Sequence, residues 1–182
     1  MSYEVIEHQT LGSAVASVSF TTISQDYTDL MLTVSVRGTA ASDTIPLWQV
    51  NDSTTGYSAR WLRGTGSSVA SNSRTTLTHD GTTWGRLTEA GIQDSGTTAS
   101  TFASLQLYLP NYTSSAAKSI AVDAVGENNA TAADQYITAG IWTGTDPITK
   151  LSFAIYNSDM VQYSSFTLFG ITAGSDGTTT VS

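Results

Sequence analysis

The chain has no cysteine. Structural disulfides, Cys-ligated zinc and thiol catalysis are therefore excluded, and stability in an oxidising exterior would rest on packing or on oligomerisation. Charge is scarce as well: Asp, Glu, Lys and Arg make up 12% of 182 residues, about half of the ~25% usual for a globular domain. What charge there is leans acidic, with 15 Asp+Glu against 7 Lys+Arg and a net charge of -8. Such a surface repels phosphate backbones and anionic bilayers, because counterion release needs clustered cations. No nucleic-acid and no membrane partner is expected. The cations Arg37, Arg60, Arg63, Arg74, Arg86, Lys118 and Lys150 are scattered, only Arg60 and Arg63 lying close together, and are expected at solvated or strand-edge positions. No apolar run approaches the roughly 18 residues of a membrane span. The opening "MSYEVIEHQT" has no apolar core of a secretory signal, so the chain is expected to be made in a cytoplasm and not exported by a signal peptide.

Helical periodicity is missing too. "GSAVASV" and "TSSAAKS" are too short and too rich in β-branched or hydroxyl residues to form more than a turn. Alternation of period two fills the chain instead. In "ASVSFTTI", Ala16, Val18 and Phe20 oppose Ser17, Ser19 and Thr21; in "DLMLTVSVRG", Leu30, Leu32, Val34 and Val36 oppose Met31, Thr33, Ser35 and Arg37. These are half-buried strands. "TIPLWQVN" starts or edges a strand at Pro46. "YSARWLRG" sets Tyr57, Ala59 and Trp61 on one face, "STFASLQLYLPNY" does the same with Ala103, Leu105, Leu107 and Leu109, and "KSIAVDAVG" runs through Ile120, Val122 and Ala124 until Gly126 stops it. "QYITAGIWTG" and "ITKLSFAIYN" flank "TGTDP" and are expected to form a hairpin, and "SSFTLFGITA" closes the domain. One-sided alternation between Gly/Ser/Asn/Asp turns predicts an all-β fold, an antiparallel two-sheet β-sandwich, jelly-roll-like. A single domain spans 1–173 with a short N-terminal segment at 1–10, followed by a flexible C-terminal tail at 174–182. The polar stretch Gly64 to Gly85 reads as an exposed loop or ragged hairpin.

Chemistry is sparse. His79 beside Asp80 in "THDG" and the lone His8 fall short of the three or four ligands a zinc site needs. No G-x-S-x-G elbow, P-loop or G-x-G-x-x-G is present. Asp26, Asp29, Glu127, Asp134, Asp146 and Asp159 sit at turns or strand ends, where local hydrogen bonding already explains them. "GENN" and "NDS" lack the spacing of a calcium loop. No catalytic residue, no metal ligand and no cofactor is expected, and the chain is not expected to be an enzyme. Its aromatics allow two uses: Trp48, Trp84 and Trp142 could stack on a glycan, or serve as core and subunit-contact residues.

"SVSFTTISQDYTDLMLTVSVRG", "LYLPNYTSSAAKSIAVDAVG", "ITAGIWTGTDPITKLSFAIYN" and "SSFTLFGI" together resemble a β-sandwich module of tailed-bacteriophage virion structural proteins, over about Leu11 to Ile171. The resemblance implies a structural protein at the virion surface. The sandwich pattern begins almost at Met1 and ends near the C-terminus, which suits a capsid decoration (cement) protein bridging capsomers on the outer head better than the tip of a fibre. The expected partners are the major capsid protein and further copies of the chain, a trimer being favoured. Val5, Ile6, Leu11 and Trp84 are the candidate contact residues, with the N-terminal segment as an arm or as a plain edge strand. The alternative is a tail-associated receptor- or glycan-binding adhesin that touches tail proteins and stacks sugars on Trp48, Trp84 and Trp142.

Overall fold

Each strand lies where apolar side chains recur at every second residue, because only then does one face of an extended chain bury while the other stays wet. The computed structural model describes residues 2–41, 44–74, 84–86, 92–127 and 133–172. Among them are twelve strands and no helix: β1 (Ser2–Thr10), β2 (Ser17–Thr21), β3 (Asp29–Val36), β4 (Pro46–Val50), β5 (Tyr57–Gly64), β6 (Val69–Arg74), β7 (Gly85–Arg86), β8 (Ala103–Pro110), β9 (Lys118–Glu127), β10 (Ala133–Trp142), β11 (Lys150–Ile155) and β12 (Ser165–Thr172). They form two antiparallel sheets, one of eight strands in the order β1-β12-β3-β8-β9-β10-β5-β6 and one of four in the order β2-β11-β4-β7. The expected two-sheet sandwich is the fold.

The winding follows from the strand orders. With β5, β6, β9 and β10 set aside, eight strands remain, ordered β1-β12-β3-β8 in one sheet and β2-β11-β4-β7 in the other. Along the chain these eight swap sheets at every step except between β4 and β7, a jelly-roll-like nesting. The four strands set aside all extend one side of the larger sheet, so that β6 ends it where β1 begins it.

Leu30, Leu32, Val34 and Val36 of β3 and Leu105, Leu107 and Leu109 of β8 face the four-stranded sheet and are buried. Phe153 of β11 meets Phe166 of β12 across the gap, ring centroids 5.4 Å apart. Between β4 and β5 the chain reverses through Asn51 and Asp52, both with positive φ (49° and 57°). Asn and Asp tolerate that conformation better than other L-residues do. The Asn51 side chain then fastens the neighbouring segment: its Oδ1 accepts from the amides of Thr149 (2.9 Å) and Lys150 (3.0 Å), and its Nδ2 donates to the Pro147 carbonyl (2.8 Å). "NDS" is thus a structural clamp, with Asp52 paired to Lys150 at 2.7 Å.

Two expectations need correction. β10 and β11 are not a hairpin: β10 pairs with β9 and β5 in the large sheet, whereas β11 pairs with β2 and β4 in the small one. The residues joining them hold no positive φ, which the favoured tight hairpin turns need. Ile148 is fully buried, with its amide on the Tyr112 carbonyl at 3.0 Å, and draws the connection across the end of the sandwich instead. Gly126 does not stop β9, which continues to Glu127. Of the two readings of the N-terminal segment the edge strand holds, since β1 pairs with β12 from Ser2 to Thr10, interrupted by a bulge between Val5 and Glu7. The first part of the polar stretch is a hairpin of β5 and β6. Residues 75–83, including His79 and Asp80, the "NN" of "GENN" beyond Glu127, and the tail 174–182 lie outside the described residues.

Candidate protein-contact surface

The cations divide unexpectedly. Arg37, Arg86 and Lys118 are buried rather than solvated. Arg37, just past the end of β3, sends its guanidinium into the 97–101 turn: Nη1 donates to the carbonyls of Thr98 (2.8 Å) and Thr101 (3.0 Å), and Nη2 to that of Thr97 (3.1 Å). The Lys118 amino group donates to the carbonyls of Ser114 (2.7 Å) and Ala116 (2.5 Å) and lies 6.0 Å from the Trp142 ring centroid. Burial lowers its pKa, and Asp146 nearby works against that. These side chains satisfy backbone carbonyls that turns leave unpaired. Their positive charge is spent inside the protein.

Tyrosines behave the same way. The Tyr108 hydroxyl donates to Asp29 at 2.7 Å while the Asn111 amide donates to the other oxygen of that carboxylate at 2.8 Å. The bond to Asp29, then burial, pushes the Tyr108 pKa up to about 12. Burial also raises the pKa of Tyr57, Tyr112 and Tyr27. A group with a raised folded-state pKa stabilises fully below its unfolded value, here 10, and that contribution drains away as pH climbs through the folded value. Lys118 has the opposite sign, because its lowered pKa makes stability rise with pH up to its ordinary 10.5. Tyr108→Phe should accordingly lose stability less steeply than the wild type between pH 10 and 12, although it begins less stable at pH 7. Urea titrations across that range check this, and parallel curves would refute it.

Exposed apolar side chains are concentrated on the strands that extend the large sheet. Directly paired residues share a face, so the register Tyr108–Ala121–Ala139–Arg60–Ser73 and the register Gln106–Asp123–Ile137–Leu62–Ser71 run side by side over the outer surface. Ile137 is 56% exposed, Leu62 52%, Ile141 42% and Val125 38%, and Val69 at the start of β6 is 80% exposed. Fully burying such a side chain is worth about 1.5–3 kcal/mol, so each forgoes a large part of that in the isolated chain. Arg60, Leu62, Ile137 and Ala139 line an open groove of about 680 Å³ over β10, β5 and β6. Arg60 and Asp123 share this face, whereas Arg63, paired with Asp134 and 5.5 Å from the ring centroid of the buried Tyr136, lies on the other. An apolar strip beside a few charges is the make-up of a protein-contact surface.

The residues singled out from the sequence are distributed otherwise. Val5 is 55% exposed and Trp84 half-buried beside β7, so both are available to a partner, while Ile6 packs partly against the core. Leu11 is buried, its amide bonded to Ser164, and is corrected to a core residue. Trp48 and Trp142 are buried as well. A ring without an open face cannot stack on a sugar, so of the three proposed glycan platforms only Trp84 remains. His8 is held on β1 and β12, its ring nitrogens 2.8 and 2.9 Å from the hydroxyls of Thr167 and Thr10. Among the described residues no group of three or more His, Asp or Glu could hold a metal ion, and no helix is long and apolar enough to cross a membrane. Leu62, Ile137, Ile141 and Val125 were missed because inward parity was sought. The signal was there in "QYITAGIW", where Ile137, Ala139 and Ile141 alternate with Tyr136, Thr138, Gly140 and Trp142, leaving both faces apolar. No protein-family model, no curated protein and no solved structure matches this chain.

Proposed function

We propose that this chain is a structural protein of a tailed-bacteriophage virion, a decoration protein that sits on the outer head and bridges neighbouring capsomers. The observation that carries the reading is the exposed apolar strip of Leu62, Ile137, Ile141 and Val125 on strands added to a jelly-roll-like sandwich. Side chains left open in that number on a rigid sheet fit a chain whose stable state is an assembly. The motifs that resemble virion sandwich proteins lie on the framework of the same fold, from β2 and β3 through β8 and β9 to β12. Jelly rolls recur in viral shells and also in lectins, but the burial of Trp48 and Trp142 takes from the adhesin reading two of its three rings. In mechanism, a decoration protein contributes buried interface that offsets the outward pressure of packaged DNA.

Copy number decides the matter. Quantitative mass spectrometry of purified virions should find this chain at a level comparable with the major capsid protein. A count equal to a small multiple of the tail symmetry would replace cement with the adhesin, and absence from particles would overturn the virion assignment.

A further inference from the structure

The two ends of the eight-stranded sheet are unlike each other. β1 carries Glu4 and Glu7 and no Lys or Arg, and a bulge breaks its ladder between Val5 and Glu7. From Tyr57 to Arg74 the β5–β6 hairpin carries Arg60, Arg63 and Arg74 and no Asp or Glu, three of the seven cations of an acidic chain. Arg63 is paired with Asp134 of β10, and by its sequence the hairpin keeps a positive balance. Each end also shows apolar side chains to solvent: Tyr3 and Val5 (58% and 55% exposed) on β1, Val69 (80%) on β6. No described strand lies beyond either.

The backbone of β6 is set for a further strand. The Thr65 amide donates to the Ser68 carbonyl at 3.0 Å, and the register Gly64↔Val69, Arg63↔Ala70, Leu62↔Ser71 continues from it without a break. In an antiparallel ladder hydrogen-bonded and non-hydrogen-bonded pairs alternate. Ala70 and Asn72 therefore bond to β5, while Val69, Ser71 and Ser73 turn their amides and carbonyls outward. An edge that runs in regular register and carries no charge from Val69 to Ser73 is a template for strand addition. The strand number supplies the direction. Eight antiparallel strands leave β6 running opposite to β1, so a second copy laid alongside in the same orientation, its β1 next to β6, continues the alternation with the same face outward.

We infer that this chain associates head to tail, the β6 edge of one copy adding to the β1 edge of the next to make a sheet continuous between copies. Opposite charge selects this pairing, since β1 against β1 sets glutamates against glutamates and β6 against β6 brings two positive hairpins together. The apolar strip on β9, β10 and β5 then runs up to the joint. A heterologous contact of this kind closes into a ring when its rotation permits and otherwise grows as a filament. The inference concerns the purified chain and stands apart from its place on a virion.

The absence of cysteine makes the test clean. Val5→Cys and Ser71→Cys chains carrying different tags are mixed and treated with a short bismaleimide, while light scattering on a sizing column reads the mass of the untreated protein. The expected result is a mass that is a multiple of the monomer, with cross-links joining the two different variants in preference to like ones. Ser71→Pro, which removes an outward amide and no bond to β5, should return the mass to the monomer, and Val69→Glu, which sets a carboxylate against the glutamates of β1, should do so without touching the backbone. A monomer at every concentration would overturn the inference. So would preferential Ser71→Cys homodimers, which mark a two-fold β6 contact, or an oligomer that both Ser71→Pro and Val69→Glu leave intact.

Discussion

Trp48→Ala should cost about 3–5 kcal/mol, as large-to-small changes at fully buried aromatics do, and lower the melting temperature by roughly 10 °C in a domain of this size. Trp48 occupies the middle of β4 in the four-stranded sheet, paired with Phe153 on one side and Gly85 on the other. It is 2% exposed and meets the Tyr57 ring edge-on at 5.4 Å. Tyr57 cannot follow into the space left, because its hydroxyl donates to the Ser53 carbonyl (3.0 Å) and accepts from the Val50 amide (3.0 Å). Gly85 shows how closely the site is filled: a Cβ there would stand 2.6 Å from the indole nitrogen and 2.7 Å from the Tyr57 ring. The cavity therefore persists, and its cost is near the upper part of the range. A Trp48 that served as a sugar platform would give the contrary pattern, an unchanged melt with glycan binding lost. Differential scanning calorimetry of Trp48→Ala beside Trp84→Ala, whose ring is only half-buried, separates the two, and equal small effects would refute the core placement.

The sandwich was legible because alternation is a local signal. Leu30, Leu32, Val34 and Val36 bury on one side of β3, and Ala103 through Leu109 on one side of β8, as their parity demanded. Sheet membership was not legible. A turn-like segment such as "TGTDP" is compatible with a hairpin or with a crossing between sheets, and what decides is Ile148, whose burial among distant residues no local pattern announces. The contact surface was half legible. The two-sided apolar character of β10 stands in the sequence, but which side faces the second sheet depends on the pairings of β9 and β5. Least legible were the charges. Arg37 follows the alternating run of β3 and has the look of any solvated strand end, yet the turn that encloses it lies some sixty residues away along the chain.

That distance makes Arg37 the second sensitive point. Its Nη1 also reaches the hydroxyls of Thr97 and Thr101, both at 3.2 Å, so one guanidinium holds both ends of the turn that leads into β8. Truncation to alanine leaves three carbonyls without their charged donor. Hydrogen bonds to charged groups are worth about 1.5–3 kcal/mol each, but the desolvation of the guanidinium offsets part of their sum. The net loss expected for Arg37→Ala is about 3 kcal/mol, against the ±0.5 kcal/mol or so of a solvated surface cation. Lysine should not restore it, since a single ammonium lacks the planar fork that serves Thr97 with one nitrogen and Thr98 and Thr101 with the other. The loss is also local. The turn at 97–101 has few other anchors, chiefly the short-range bonds from the Thr97 amide to the Asp94 carbonyl and from the Thr101 hydroxyl to that of Thr98, so it opens before the sheets do. Limited proteolysis of Arg37→Ala should cut there first while the wild type resists, and urea denaturation should show the lowered midpoint. A variant as stable and as resistant as the wild type would mean that the buried guanidinium stabilises nothing, and that its charge is tolerated rather than used.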